Sequence, residues 1–269
     1  MAKSAAQPAV DPAAQLVAAP AADAAAENTA DGAGAEDLSK RHIRSFAMRR
    51  GHVTAAQRRA YADLVPGLCV PYARALLDAP AVFGRSAPLV LEIGFGMGET
   101  TARIAALCPG IDFLGVEVFM PGIGALARRV QAAGLRNVRI IEHDAVEVVR
   151  DMIAPSSLHG AHIFFPDPWP KARHHKRRLV AQPFIGALAQ RLRAGATLHC
   201  ATDWENYAEQ MLEVLGAEPR LRNLHADYAP GPRSPWCERP TTKFHARGTR
   251  LGHGVRDLVF VRREPVPGA

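Results

Sequence analysis

Hydrophobic residues fall in short blocks separated by stretches of amphipathic spacing, and the alternation is regular from residue 89 onward. Leu89-Val-Leu-Glu-Ile93 is an apolar run that ends in glycines, and residues 99–107 carry helical spacing. The same two signals then recur along the chain. A strand is predicted at 112–118 with a helix at 122–133, and a strand at 137–142 with a helix at 145–152. A fourth strand at 160–165 runs into a proline-rich turn. A helix at 179–192, a strand at 196–202, a helix at 204–215 and a terminal strand at 256–263 complete the series. Strands alternating with helices of this length imply βαβ units and a parallel sheet covered on both faces. The expected fold is α/β, doubly wound and Rossmann-like, with ligands seated beyond the carboxyl ends of the strands.

The first 87 residues do not share this pattern. Sixteen of residues 1–37 are alanine, mixed with Pro, Gly and acidic side chains. Large apolar groups that could offset the entropy of ordering are scarce there, so a disordered tail is expected, with at most a transient helix over 13–26. Residues 38–87 read as a basic N-terminal extension with short helices. Lys40, Arg41, Arg44, Arg49, Arg50, Arg58 and Arg59 crowd its start, and Thr54-Ala-Ala-Gln57 has the form of a capping box. Residues 88–269, which carry the alternating pattern, are expected to form one α/β domain.

Charge sharpens the picture. The chain of 269 residues carries +7 overall, yet residues 1–37 hold Lys3 against six carboxylates, so the remainder stands at +12. A domain that basic attracts a polyanion, and nucleic acid is the first candidate. The four cysteines are scattered with no C-x-x-C pair, which argues against a disulfide framework and a thiolate zinc site and suits a reducing cytoplasm. No uncharged run reaches the length of a membrane helix. The expectation is a soluble cytoplasmic protein, a monomer or homodimer with no obligate protein partner and no metal.

The turn after the first strand reads Glu92-Ile-Gly-Phe-Gly-Met-Gly98, with glycines at Gly94, Gly96 and Gly98. A dinucleotide fingerprint needs glycine at 99, where Glu99 stands. A carboxylate at that helix mouth opposes a pyrophosphate but tolerates S-adenosylmethionine, which has no phosphate and carries a sulfonium cation. Glu117, at the end of the second strand, is placed to accept hydrogen bonds from ribose hydroxyls, which both ligands share. Asp144, after the third strand, would lie near the adenine, or cap the next helix with Glu147 reciprocating.

The fourth strand ends Phe164-Phe-Pro-Asp-Pro-Trp-Pro-Lys171, a turn stiffened by prolines that presents Asp167 beside the methyl donor. Trp169 could stack on a base or simply pack. Next come Lys171, Arg173, His174, His175, Lys176, Arg177 and Arg178, which suit phosphate contact better than a metal. Asp203 is a second candidate carboxylate, or the N-cap of the helix that follows it.

These motifs, together with Arg44-Ser-Phe, Gly115-Val-Glu-Val and Arg239-Pro-Thr-Thr-Lys-Phe-His-Ala-Arg-Gly248, resemble the bacterial tRNA (guanine-N7-)-methyltransferases from about residue 44 to 262. The resemblance implies a seven-stranded class I methyltransferase fold, S-adenosylmethionine as cofactor, and methylation of the variable-loop guanosine 46 of tRNA. It implies cofactor contacts at Glu92, Glu117, Asp144 and Asp167, with Asp167 also the active-site residue. It implies substrate contacts at Lys171, Asp203, Thr242, Lys243, Phe244 and His245, and RNA contacts over 173–178. Many relatives carry glutamate where this chain has His245. Competing readings are an NAD-dependent dehydrogenase, which Glu99 disfavours, and an RNA-binding protein on the same scaffold or a methyltransferase for another RNA.

Overall fold

The computed structural model describes residues 45–46, 54–234, 237–240 and 254–264. These lie in the compact unit that spans Ile43–Ala269. Thr242, Lys243, Phe244 and His245, most of the basic lead-in and the whole acidic tail lie outside the described residues. Seven strands form one sheet in the order β3-β2-β1-β4-β5-β7-β6. They are β1 Leu89–Ile93, β2 Asp112–Glu117, β3 Val138–Glu142, β4 Leu158–Phe164, β5 Leu192–Thr202, β6 Leu221–Asn223 and β7 Arg256–Arg262. The first five are parallel, and β7 runs antiparallel between β5 and β6. Every parallel strand therefore ends at the same edge of the sheet, with the chain reversing direction of progress at β1 and β4.

Among the described residues seven α-helices accompany the sheet: α1 Ala55–Leu64, α2 Ala79–Phe83, α3 Glu99–Leu107, α4 Met120–Ala132, α5 Ala145–Asp151, α6 Phe184–Arg191 and α7 Glu205–Ala217. One apolar layer joins α1, α3 and α4 to Val90, Phe113 and Ile140, and the other joins α5, α6 and α7 to Leu91, Leu114 and Leu198. Alternate strand residues thus serve opposite layers, and burial on both faces explains the unbroken apolar runs. Residues 54–87 pack onto this body: the backbone of Leu68 and Val70 bonds to both sides of Ile140, and Tyr61 bonds to Glu142. Among the described residues no helix is long and apolar enough to cross a membrane.

Where pattern and structure differ, local chemistry explains the difference. The helix expected over 179–192 begins only at Phe184, because Pro183 forces its predecessor out of helical geometry. β5 starts at Leu192, earlier than the apolar run, with Gly195 at φ 76° where the register against β4 shifts. The brief α2 and β6 are too short for any period to show. Thr54 does stand at the start of α1, its carbonyl accepting from Arg58 N at 3.0 Å.

Candidate functional site

The glycine loop is shaped from outside by α4. Gly94, Gly96 and Gly98 have φ of 74°, 55° and 69°, a region that other residues rarely enter. A Cβ on Gly98 would sit 2.5 Å from Leu126 Cβ, and one on Gly122 would sit 2.1 Å from the Gly96 carbonyl oxygen. Arg129, farther along the same helix, donates from Nε to the Met97 carbonyl at 3.3 Å. Residues 122, 126 and 129 share one face of α4, so the helix is pressed onto the loop along that stripe. On the other side the loop is open: a Cβ on Gly94 or Gly96 would meet nothing within 4 Å.

Carboxylates converge on that opening from adjacent strands. Glu92, next to last in β1, is 2% exposed, and its Oε2 has no hydrogen-bond partner. Burial pushes its carboxyl up to about 7, with the Thr101 hydroxyl opposing and the charge of Glu117 adding to the rise. Glu117, last in β2, accepts from Gly96 N at 2.8 Å, Val118 N at 2.7 Å and Phe119 N at 3.1 Å. Those three amides lower its carboxyl, but burial outweighs them, and Asp167 adds to the rise. Asp167 is therefore close enough to Glu117 to repel its charge.

S-adenosylmethionine fits this chemistry. An orphaned buried carboxylate oxygen calls for a cationic donor, which the ammonium of a methionine moiety supplies. Glu117 keeps lone pairs for ribose hydroxyls after its backbone bonds are counted. Glu99 occupies the first turn of α3, where a pyrophosphate would need neutral or positive surroundings.

Asp144 caps α5, its Oδ1 accepting from Val146 N at 2.9 Å. The reciprocal half of the expected capping box is absent, because Glu147 turns instead to His143 Nε2 at 2.6 Å. Asp203 is not a cap. Trp204 occupies that position, and its amide is held by Thr202 Oγ1 at 3.2 Å. Asp203 follows β5 directly, beside the Asp167 turn, because Ala201 pairs with Phe164 and accepts from Phe165 N at 2.7 Å.

The Asp167 turn is strained at both ends. Phe165 and Trp169 have φ of 53° and 47°, each costing about 1–3 kcal/mol unless the surroundings impose it. Trp169 is held by several neighbours. The Arg177 guanidinium lies 3.7 Å from its ring centre, His174 meets it edge-on, and Nε1 donates to the Ser45 carbonyl at 3.0 Å. Arg177 itself donates to the Phe46 carbonyl at 3.0 Å. Trp169 and Arg177 together tie the basic lead-in to the turn.

The basic run, Ala172–Arg177 as a 3-10 helix, divides by role. The side chains of Lys171, Arg173 and Lys176 are exposed and make no hydrogen bond or ion pair among the described residues. His174 is pushed below the ordinary imidazole value by partial burial and then by the surrounding cations. His175 has a buried Nε2 without a partner. Arg178 corrects the expectation of an RNA contact. It is 3% exposed, and its donors are used by the Pro168 carbonyl, Gln210 Oε1 and Asn206 Oδ1 at 2.9, 2.6 and 3.0 Å. Its guanidinium also lies over the Tyr207 ring at 4.7 Å. Arg178 is a clamp between the turn and α7.

A polar cluster that the residue pattern does not announce lies beneath this turn. Glu92, His162 and His199 occupy one row across β1, β4 and β5. His199 Nε2 bonds to Asp257 Oδ1 at 2.8 Å, and Arg239 donates to both oxygens of Asp257 at 3.0 and 2.6 Å. Burial opposes ionisation of Asp257, but His199 and Arg239 prevail and hold it below the usual carboxylate range. The signals available were single histidines, His162 and His199, placed inside the apolar runs 160–165 and 196–202.

Comparison with known proteins agrees with this anatomy. Residues 86–258 match a family described as "Putative methyltransferase". A tRNA (guanine-N(7)-)-methyltransferase of Burkholderia vietnamiensis is 63% identical over 235 residues, covering 87% of this chain and 91% of that protein. The protein of the same name from Bordetella pertussis is 62% identical over 221 residues, covering 82% and 85%. Identity at that level over nearly the whole of both chains means common descent, and the chain belongs to the tRNA (guanine-N(7)-)-methyltransferase family.

Proposed function

We propose that this protein transfers a methyl group from S-adenosylmethionine to N7 of guanine in tRNA, with the variable-loop guanosine 46 as target. The observation that carries the reading is one of adjacency. Glu92, Glu117 and Asp167 converge on an open glycine loop, and the exposed Lys171, Arg173 and Lys176 follow Asp167 directly. A cationic methyl donor and a polyanionic acceptor would thus meet at one sheet edge.

Glu92, Gly94, Gly96, Gly98, Glu117 and Asp144 hold the cofactor in this reading. S-adenosylmethionine supplies an electrophilic methyl on a sulfonium. Guanine N7 has a free lone pair, so no residue needs to remove a proton before attack. Transfer moves positive charge onto the purine, and the fixed Asp167 carboxylate stabilises that charge and accepts from the base's N–H groups. Asp203 serves as the second acceptor. Lys171, Arg173, Lys176, Arg177 and the two histidines His174 and His175 engage the phosphates, and Thr242, Lys243, Phe244 and His245 complete the substrate side. The test is methyl transfer from labelled S-adenosylmethionine to unmodified tRNA, with the product nucleoside identified by mass spectrometry. 7-Methylguanosine in the variable loop is expected; a different methylated nucleoside overturns the reading.

A further inference from the structure

Arg239 touches the active-site turn without belonging to it. Its side chain is fully buried, and both its Nε and Nη2 are committed to Asp257, itself 4% exposed. Asp257 is fixed in turn by His199 on the neighbouring strand. The flat guanidinium lies 5.7 Å from the Phe164 ring centre and 5.1 Å from that of Phe165. Phe165 is the residue whose φ of 53° bends the chain toward Pro166 and Asp167. On the main-chain side, Arg239 N donates to the Pro232 carbonyl at 2.7 Å, and Ser234 N to the Cys237 carbonyl at 2.8 Å, so the arginine springs from a tight reversal.

A non-glycine residue keeps a left-handed backbone only when its surroundings over-determine it. Among the restraints on Phe165 are its amide bond to the Ala201 carbonyl, the apolar cluster its side chain packs against and the cation lying over its ring. The first alone fixes the amide but not the side chain. We propose that the buried Arg239–Asp257–His199 chain is a positioning device for Asp167. By holding the Phe165 ring it fixes the left-handed bend and so aims the carboxylate two residues later. The inference rests on the proposed role of Asp167 in methyl transfer.

Three variants of the full-length protein test it: Arg239→Lys, which keeps the charge but loses the fork, Arg239→Met, which loses both, and Phe165→Leu, which removes the ring without orphaning a buried charge. Val149→Ala, in the core under α5, is the control for a general loss of stability. S-adenosylmethionine affinity by calorimetry should stay within about twofold in all four, since the glycine loop, Glu92 and Glu117 rest on other strands. A misaimed catalytic group costs up to about a hundredfold, so kcat should fall roughly 10–100-fold in Arg239→Met and Phe165→Leu. Arg239→Lys should recover part of that loss, and Val149→Ala should keep wild-type kcat. Hydrogen exchange supplies a readout independent of turnover: amides 165–171 should lose protection in the Arg239 and Phe165 variants while amides 92–98 keep theirs. Unchanged kcat and unchanged exchange in Phe165→Leu overturn the proposal, as does a parallel fall of cofactor affinity, kcat and melting temperature in every variant. Absence of methyl transfer by the wild type would instead refute the role of Asp167, while the exchange pattern would still decide whether Arg239 fixes the turn.

Discussion

Replacing Glu92 by glutamine tests the site through the stability of the ligand-free protein. The carboxyl is fully buried, and burial lifts it from 4.5 to about 7. A carboxyl raised in the folded state destabilises the fold once it ionises. The cost is absent below about 4.5, grows as pH climbs toward 7, and is fully present above that. Its ceiling is the free energy of the displacement, about 3 kcal/mol. Glutamine has nearly the same shape and never ionises, though its own buried amide adds a pH-independent penalty of about 1–3 kcal/mol. The slope, and not the absolute value, therefore carries the test. In urea unfolding at several pH values, wild type should lose stability relative to Glu92→Gln by about 3 kcal/mol between roughly pH 4 and pH 8.5. Saturating S-adenosylmethionine should reverse the trend, because the ionised carboxylate then pairs with a ligand cation that binds only the native state. A stability difference independent of pH refutes the reasoning, since it would mean that Glu92 keeps one protonation state throughout.

Asp167→Ala should lose at least about a hundredfold in kcat while tRNA affinity, measured by filter binding, stays near wild type; wild-type turnover would remove the carboxylate from the mechanism. Gly122→Ala gains helix propensity of about 0.8 kcal/mol, yet its Cβ would strike the Gly96 carbonyl at 2.1 Å. S-adenosylmethionine affinity should therefore fall at least tenfold (~1.4 kcal/mol), and unchanged calorimetric affinity would show that the loop gives way freely. Arg178→Ala should lower stability by about 1–3 kcal/mol, since it leaves buried acceptors without their donor, while the salt dependence of tRNA binding stays intact. The triple change of Lys171, Arg173 and Lys176 to Ala should do the reverse, lowering the log–log salt slope by about 2. Equal salt slopes for the triple variant and wild type would return those cations to ordinary solvated surface.

The sheet and the glycine loop were legible because each depends on local signals. Apolar blocks of strand length, the glycines after Ile93, and acidic residues at successive strand ends can be read without knowing what packs on them. The site of Glu92 is an example: its place in an apolar strand predicts burial, and burial predicts its perturbed chemistry. Roles that depend on distant partners were not legible. Arg178 sits in a cationic run and looks like its neighbours; only the arrival of Asn206 and Gln210 on α7 makes it an anchor. Arg239 and Asp257 are 18 residues apart with no shared motif, and their bond depends on β7 lying beside β5. Helix starts failed where proline geometry competed with period, as at Pro183. Asp203 has cap-forming chemistry but was passed over, since Thr202 reached the Trp204 amide instead.

The place of β7 bears on how the protein is made. It is the last of the described strands in sequence, yet it lies inside the sheet, between β5 and β6. A ribosome releases the chain from the N-terminus, so the other six strands emerge first while β5 keeps one bare edge and β6 has no partner. Arg239 and His199 likewise wait for Asp257. Synthesis must therefore reach residues 256–262 before the edge is closed and the buried charges are matched. A nascent chain stalled short of that point exposes a row of unpaired backbone groups next to apolar side chains, the condition under which strands join the wrong neighbour. Loss of residues 256–262 should thus be far more damaging than loss of as many from the alanine-rich beginning, because the sheet closes only once that strand has been made.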